Sequence, residues 1–102
     1  MKNQTNLQYS VIVPVYNEEG NIKKLDQEIK NVMSKLGNYE IIYINDGSRD
    51  KTLKELEELQ KIKIINLNRN YGQSIALDAG FKAAQGEIII SLDGDGQNDP
   101  LD

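Results

Sequence analysis

Cysteine and histidine are both absent from the 102-residue sequence, and their absence removes several classes of site. Without cysteine the chain can form neither a disulfide framework nor a thiolate metal site. Without histidine it can form neither a serine–histidine nucleophilic pair nor an imidazole zinc site. Tryptophan is missing as well, and the only aromatic residues are five tyrosines and one phenylalanine. The core must therefore be aliphatic, and the abundant isoleucine favours β-strands.

A basic surface and a long apolar segment are missing too. The 12 basic and 16 acidic residues give a net charge of −4, whereas nucleic-acid-binding proteins usually carry a basic stripe. No apolar run approaches the roughly 18 residues that span a bilayer, and the polar start at Met1–Tyr9 has no signal-peptide core. We therefore expect residues 1–102 to form one soluble, cytoplasmic domain that does not bind nucleic acid.

Strand-like and helix-like segments alternate along the chain. Short runs rich in isoleucine and valine predict strands, and apolar residues at every third or fourth position predict helices. In chain order the predicted segments are a strand Val11–Val13 that ends at Pro14, a helix Glu19–Leu36, a strand Ile41–Ile44, a helix around Leu53–Leu59, a strand Ile62–Leu67, a helix Gln73–Gln85 and a strand Glu87–Leu92. The pattern predicts an α/β fold with a doubly wound, mainly parallel sheet. The expected strand order is three-two-one-four.

Two of the predicted helices carry informative local detail. Asp50 or Ser48 is placed to cap the second helix. On the third helix small side chains dominate one face, which favours close packing on the sheet although a helical glycine costs about 1 kcal/mol against alanine. The residues of that face are Ile75, Ala76, Ala79, Gly80 and Ala83.

A polar block follows each predicted strand, and the carboxyl ends of parallel strands share one edge of a sheet. The first block, Pro14–Glu19, fits either a helix start capped by Asn17 or a base-binding corner walled by Tyr16. The second, Asn45–Ser48, fits either a turn or a site in which the Asp46 carboxylate accepts from a pyrimidine N–H or a ribose hydroxyl.

The third and fourth blocks favour phosphate and metal binding. Asn68–Gln73 fits either a solvated loop or a phosphate site served by the Arg69 guanidinium. In Leu92–Pro100, Asp93 and Asp95 form an Asp-x-Asp pair that a cation would neutralise. Mg²⁺ or Mn²⁺ typically uses one or two carboxylates together with substrate phosphate oxygens, so an acidic protein can bind a phosphorylated ligand in this way. An EF-hand loop is excluded, because its sixth position lacks glycine and a strand precedes it.

Taken in order, the four blocks resemble those of family 2 glycosyltransferases with the GT-A fold. The similarity is to the branch of dolichol-phosphate mannose synthases and bacterial polyprenyl-phosphate sugar transferases, and it covers the chain from about Tyr9. The matching blocks are Val11–Glu18, Asn45–Asp50, Arg69–Gln73 with the alanine-rich helix, and Leu92–Pro100.

The resemblance implies a nucleotide pocket, a base contact and a metal site. The implied pocket residues are Pro14, Tyr16 and Glu18, the base contact is Asp46, and the ligands of Mg²⁺ or Mn²⁺, and through it of the diphosphate, are Asp93, Asp95 and Gln97. Gly94 and Gly96 stand where the family usually has apolar residues, which loosens the loop.

The implied activity is transfer of a sugar from a UDP- or GDP-sugar to an acceptor, either a polyprenyl phosphate or a saccharide. Members of the family continue well past the Asp-x-Asp block. We therefore expect this chain to be the donor-binding part, inactive alone, of a cell-envelope enzyme that works at the cytoplasmic face of a membrane.

Two other functions stay open at this point, a nucleotidyltransferase and a non-catalytic nucleotide-binding module. A nucleotidyltransferase would normally carry a glycine-rich, basic loop after the first strand, and none is present. We also expect the chain to self-associate, because the apolar fourth strand would form an open edge of the sheet.

Overall fold

The computed structural model describes residues 6–92, and in it strands and helices alternate as predicted. The elements are β1 (Tyr9–Val15), α1 (Ile22–Met33), β2 (Tyr39–Asp46), α2 (Thr52–Glu57), β3 (Lys63–Leu67), α3 (Gln73–Ala83) and β4 (Ile88–Ser91). The predicted α/β fold is confirmed.

The four strands form a single parallel sheet in the order β3-β2-β1-β4, which is the predicted order. From β1 the chain adds β2 and then β3 on one side, and it then crosses to the other side of β1 to add β4. The direction of growth therefore reverses beside β1. In open α/β sheets ligands bind outside the carboxyl ends of the strands at such a reversal.

Alternate residues of β1 and β2 face opposite sides of the sheet, and each side has its own core. One core joins the sheet to α1 and α2, and its buried members are Val11, Val13, Val15, Ile22, Ile29, Met33, Ile41, Tyr43 and Leu56. The other joins the sheet to α3, and its buried members are Ile12, Ile42, Ile44 and Ala76. Strands covered on both faces explain the near-continuous apolar runs in the sequence.

The small residues of α3 bring that helix close to the sheet, as predicted. Ala76 and Gly80 are buried, and a Cβ atom added to Gly80 would lie 2.3 Å from Cγ2 of Ile12. Ile75 was predicted for the same face, but its side chain is 51% exposed. Ala76 and Gly80 are four residues apart and define the contacting stripe, so Ile75 lies to one side of it.

Pro14 does not end β1, contrary to the prediction. It pairs with Ile44 inside the strand, one residue before the end at Val15. The carbonyls of Gln8 and Ile12 accept from β4 and from Leu92 after it, so even-numbered residues direct their backbone polar groups toward β4. The last β4 pairing is Ile12 with Ser91. The nitrogen of Pro14 therefore faces the β4 side, where it has no N–H to donate, and the β4 pairing within the described residues ends two residues earlier on β1.

Helix α1 is shorter than predicted at both ends. It begins at Ile22 rather than Glu19, because Asn17 (φ 51°) and Gly20 (φ 90°) have left-handed backbones that a helix cannot contain. Asn17 is therefore not its cap; the residue before α1 is Asn21, which makes no side-chain capping bond. The helix ends at Met33, before the predicted end at position 36.

A buried polar chain ties α1 to the sheet. The hydroxyl of Tyr43 donates to Oδ1 of Asp26 at 2.6 Å, and Nζ of Lys30 lies 2.7 Å from Oδ2 of the same carboxylate. Lys30 also donates to the carbonyl of Gln60 at 2.7 Å. Burial, together with the neighbouring Asp26 carboxylate, raises the pKa of Tyr43, so its hydroxyl keeps its proton.

A buried carboxylate, Glu40, links β2 to β1, to β3 and to the segment before β4 at the amino edge of the sheet. It accepts from Ser10 Oγ (2.5 Å), Lys63 Nζ (2.8 Å) and the N–H of Gln85 (2.7 Å). Ser10 Oγ in turn accepts from the N–H of Gly86 at 2.7 Å. Burial alone would raise the pKa of Glu40, but the hydrogen bonds from Lys63, Ser10 and Gln85 outweigh it and hold the pKa below its ordinary value.

Candidate functional site

A shallow cleft opens at the carboxyl edge of the sheet, where β1 and β2 end and the loop before α3 passes over them. Its volume is about 130 Å³. The residues that line it are Pro14, Val15, Tyr16, Asp46, Asn70, Gly72 and Gln73. Three of them were predicted as site residues, Pro14 and Tyr16 from the first polar block and Asp46 from the second, and the fold brings the two blocks together.

Asp46, the last residue of β2, holds the loop between β3 and α3. Oδ1 of its carboxylate accepts from the N–H of Tyr71 at 2.8 Å. Oδ2 accepts from the N–H of Gly72 at 3.0 Å and from Nδ2 of Asn70 at 3.2 Å. The Asn70 amide also donates to the Asp46 carbonyl at 3.1 Å. Although Asp46 is only 4% exposed, its polar atoms therefore have partners within the fold.

The hydrogen bonds of Asp46 leave room for one more donor. Each carboxylate oxygen can accept about two hydrogen bonds. Within the described residues, Oδ2 accepts two and Oδ1 accepts one. Because Asp46 lines the cleft, the remaining acceptor position on Oδ1 is a candidate contact for a ligand N–H or O–H.

Gly47 permits the loop to cross directly over the end of β2. Its backbone is left-handed, with φ 71°, and a Cβ atom there would lie 2.2 Å from the carbonyl carbon of Arg69 and 2.3 Å from the nitrogen of Asn70. Any side chain would push the loop away from Asp46. The Asp46-Gly47 pair therefore combines an anchor with the space that the anchored loop needs.

The other wall of the cleft is carried by the loop between β1 and α1, which is fastened to the segment after β2. Its four consecutive N–H groups, from Asn17 to Gly20, all donate to side chains of that segment. We call the four accepting side chains the loop latch: Ser48 accepts from Asn17 at 2.9 Å, Thr52 from Glu18 at 2.8 Å, Asp50 from Glu19 at 3.2 Å and Glu55 from Gly20 at 2.9 Å and 3.1 Å.

Bonds in the opposite direction strengthen this fastening. The Asn17 side-chain oxygen accepts from the N–H of Arg49 at 2.9 Å, and Glu19 accepts from the N–H of Lys51 at 3.2 Å. Asp50 also accepts from the hydroxyl and the N–H of Thr52, at 2.5 Å and 2.9 Å. Burial alone would raise the pKa of Asp50, but the bonds from Thr52 and Glu19 outweigh it and lower the pKa. The residue before α2 is Lys51, so the prediction that Asp50 or Ser48 caps this helix is wrong. Asp50 bonds Thr52, the first residue of α2, from one position further out, and Ser48 holds the other loop.

Two further predicted site residues lie beside the cleft rather than in its lining. Glu18 is 8% exposed, and its Oε1 accepts from the side chain of Asn21 at 3.2 Å. The guanidinium of Arg69 lies over the ring of Tyr71, 5.0 Å from its centre, and the Tyr71 hydroxyl donates to Asn68 at 2.7 Å. Arg69 belongs to the loop that Asp46 anchors, and its side chain is held against the ring of Tyr71.

The predicted metal ligands Asp93, Asp95 and Gln97 lie outside the described residues. They follow Leu92, whose N–H donates to the carbonyl of Ile12 at 2.9 Å. Among residues 6–92, no cluster of three or more acidic side chains is arranged to hold a metal ion.

Sequence reasoning missed the part that Asn70 and Gly72 play in the cleft. Both belong to the third polar block, which was interpreted mainly through its arginine. A signal was present, because a glycine shortly after two asparagines, between a strand and a helix, is typical of a bent loop, and Gly72 has φ 99°. What the pattern could not give is the partner of that bend, the Asp46 carboxylate 26 residues earlier.

The parallel α/β sheet with a polar carboxyl edge agrees with the family comparison. The model of glycosyl transferase family 2 matches residues 10–102. The chain therefore belongs to glycosyl transferase family 2. This membership decides against the nucleotidyltransferase alternative.

A curated relative and two solved structures show the same similarity. Undecaprenyl-phosphate 4-deoxy-4-formamido-L-arabinose transferase of Proteus mirabilis is 45% identical over 97 residues, which cover 89% of this chain and 30% of that protein. Residues 1–349 of S. aureus TarS, in complex with UDP-GlcNAc, superpose with a TM-score of 0.72 at 29% identity, covering 86% of this chain and 26% of that one. The Pyrobaculum calidifontis mannosyltransferase PcManGT, in complex with GDP-Man and Mn²⁺, shares the fold with a TM-score of 0.66 at 22% identity, covering 85% and 27%.

The match covers one region of larger proteins. The chain spans about 30% of the length of the curated relatives that it matches. Within residues 6–92, no helix combines the length and the apolar character that crossing a membrane requires.

Proposed function

We propose that the cleft binds the nucleoside end of a sugar nucleotide, so that this chain is the donor-binding part of a family 2 glycosyltransferase. The observation that carries the proposal is the Asp46 carboxylate, which lines a cleft on the ligand-binding edge of the sheet and whose Oδ1 accepts one hydrogen bond from residues 6–92. An ionised carboxylate only accepts hydrogen bonds. Uracil and guanine each present a ring N–H that matches one such acceptor.

The side chains around Asp46 suit the rest of a nucleotide. Tyr16 is 42% exposed and lines the cleft, so its ring offers a face on which a base can stack. Arg69, stacked on Tyr71, places a positive charge beside the same loop, where its planar fork suits a phosphate. The proposed order along the ligand is base at Asp46 and Tyr16, then phosphate toward Arg69.

We propose Asp93, Asp95 and Gln97 as the ligands of Mg²⁺ or Mn²⁺. Two carboxylates and an amide oxygen form an oxygen donor set of the kind that these hard cations prefer. When bound, such a metal acts as a Lewis acid that stabilises charge on the departing nucleoside diphosphate. The residues of the cleft contribute orientation: they fix the base and keep the diphosphate end directed away from Asp46.

The proposed activity of the whole protein is transfer of the sugar to a polyprenyl phosphate. Its support is the 45% identity to a transferase whose name specifies undecaprenyl phosphate. The 102 residues themselves are proposed to bind the donor without transferring its sugar.

Titration calorimetry with uridine, UDP and GDP, each with Mg²⁺ and with EDTA, tests the proposal. We expect UDP to bind weakly and only with Mg²⁺, because the diphosphate meets acidic residues that a cation must bridge. Uridine, which has no phosphate, should bind more weakly still and equally in EDTA. Binding of UDP that is unchanged by EDTA would contradict the metal bridge, and absence of binding by all three ligands would contradict the proposed function.

A further inference from the structure

The loop latch of Ser48, Asp50, Thr52 and Glu55 serves the cleft although none of its side chains lines it. The cleft residues Pro14, Val15 and Tyr16 run directly into Asn17, whose N–H is the first that the latch holds. On its other side the latch follows Asp46 by only a few residues. The two walls of the cleft are therefore both attached to the stretch between Asp46 and Glu55.

The backbone that the latch holds is one that needs external support. Asn17 has φ 51°, an uncommon conformation for a residue other than glycine, and Gly20 has φ 90°. Four successive N–H groups point to one side of this loop, where helix or sheet partners cannot satisfy them. Side-chain acceptors meet all four, and the bond matters most at Glu18, the one buried residue of the four, where an unmet N–H is costly.

Thr52 is the central member of the latch. It is fully buried, and its hydroxyl accepts from the N–H of Glu18 at 2.8 Å while donating to Asp50 at 2.5 Å. The hydroxyl thus orients the Asp50 carboxylate, whose second oxygen accepts from the N–H of Glu19. Removing this one oxygen would disturb two of the four fastenings.

We propose that the loop latch, and Thr52 within it, positions the Tyr16 wall of the cleft and thereby sets the affinity for a nucleoside diphosphate without contacting it. Thr52 is in this sense a positioning residue. The inference rests on the proposed function for the identity of the ligand, whereas the fastening of the loop is a property of the free protein. The experiment therefore has one arm for each.

Two substitutions at one position separate the hydroxyl from its volume. Thr52→Val keeps the shape of the side chain and removes the oxygen, while Thr52→Ser keeps the oxygen and removes a methyl group. Tyr43→Phe is the matched control, because it removes a buried hydroxyl from β2 that bonds Asp26, which is not a latch residue. It is expected to lower the melting temperature and leave the loop intact.

The first arm measures amide hydrogen exchange by NMR in the free protein. In Thr52→Val the Glu18 amide should exchange at least about tenfold faster while the β1 and β2 amides keep their protection relative to one another. Thr52→Ser should restore slow exchange, and Tyr43→Phe should leave the Glu18 amide unchanged. If the Glu18 amide hydrogen exchanged at the same rate in Thr52→Val and in the unmodified chain, the proposal that Thr52 fastens the loop would be overturned.

The second arm measures the dissociation constant for UDP with Mg²⁺. It should rise about fivefold in Thr52→Val, corresponding to the loss of roughly one hydrogen bond's net contribution, and change less than about twofold in Thr52→Ser and Tyr43→Phe. A loosened loop with unchanged UDP affinity would overturn the positioning role. If the unmodified chain binds neither UDP nor GDP, the proposed function fails and the link to affinity fails with it, while the exchange arm still decides the latch.

Discussion

Strand β2 carries a buried carboxylate near each end, and the two differ in what surrounds them. Glu40 at the amino edge and Asp46 at the carboxyl edge are 7% and 4% exposed, and each accepts main-chain N–H groups from a distant connection. Glu40 also has a cation, Lys63, at 2.8 Å. Among the described residues, the partners of Asp46 are neutral N–H and amide groups, and no salt bridge involves it.

The difference separates a structural carboxylate from one suited to binding. At Glu40 the charge is compensated inside the protein by Lys63, and Glu40 does not line the cleft. At Asp46 the charge is stabilised, within residues 6–92, by neutral N–H and amide dipoles, and the residue lines the cleft. The comparison teaches that burial and hydrogen bonding do not distinguish the two roles, whereas the nature of the donors and access to a cleft do.

The largest effect is expected when Glu40, the carboxylate at the amino edge of the sheet, is replaced. Glu40→Ala leaves the N–H of Gln85 and the Ser10 hydroxyl without their acceptor and Lys63 without its partner, so the free energy of unfolding should fall by about 3 kcal/mol. Urea unfolding followed by circular dichroism measures it. UDP affinity should be unaffected, since the cleft is at the other edge. A loss of stability below about 1 kcal/mol would show that the hydrogen bonds of Glu40 do not hold the amino edge of the sheet together.

A somewhat smaller effect, on the affinity for uridine, is expected when Asp46 at the carboxyl edge is replaced. Asp46→Asn exchanges one carboxylate oxygen for an NH₂ group, which cannot accept from the loop N–H groups and lacks the charge. Affinity for uridine should fall roughly tenfold, or about 1.4 kcal/mol. Glu40→Gln is the matched change at the other end of the strand and should leave uridine binding intact. Equal losses in both variants would mean that a general destabilisation is being measured.

Lowering the pH should reduce the stability of the protein through Glu40, whose pKa is lowered in the folded state. Because the pKa in the folded state lies below its ordinary value of 4.5, the ionised carboxylate adds stability that is present above that value and is lost as pH falls through the lowered pKa. Stability measured between about pH 5 and pH 3 should therefore decline less steeply in Glu40→Gln than in the unmodified chain. Asp50, whose pKa is lowered too, keeps part of the decline. A parallel decline of stability in both proteins would show that Glu40 does not contribute to the acid sensitivity.

The smallest effect is expected at the edges of the sheet. Edge strand β3 carries Lys63 and Asn66, whereas β4 presents Ile88 and Ile89 at 53% and 44% exposure. Uncharged edges pair with other chains, so we expect weak self-association through β4, with a dissociation constant on the order of 1 mM. Ile89→Lys should abolish it in sedimentation experiments at rising concentration. A chain that stays monomeric throughout would show that β4 is already protected.

Much of the fold followed from the sequence because parallel strands and amphipathic helices have strong periodic patterns. The strand order also followed, because a doubly wound sheet that starts at its middle strand grows first to one side and then to the other. What could not be predicted depends on contacts between distant residues. The hydrogen bond from the N–H of Gly72 to Asp46 and the left-handed backbone of Asn17 are tertiary effects that no local pattern encodes.

The candidate site was predicted in part for the same reason. Pro14, Tyr16 and Asp46 meet because the ends of parallel strands share an edge, which is a rule of the fold. The latch function of Ser48 and Asp50 was not foreseen, because good turn formers look alike in a sequence whether they bend their own chain or hold another loop.

The most direct test of the central claim is a map of the UDP contact surface by two-dimensional ¹⁵N NMR with Mg²⁺. We predict concentration-dependent shifts of the amides of Tyr16, Tyr71 and Gly72 at the carboxyl edge, while the amides of Gln85 and Gly86, beside Glu40, remain unchanged. Shifts confined to the amino edge, or spread evenly over both, would contradict the assignment of the cleft at Asp46 as the nucleotide site.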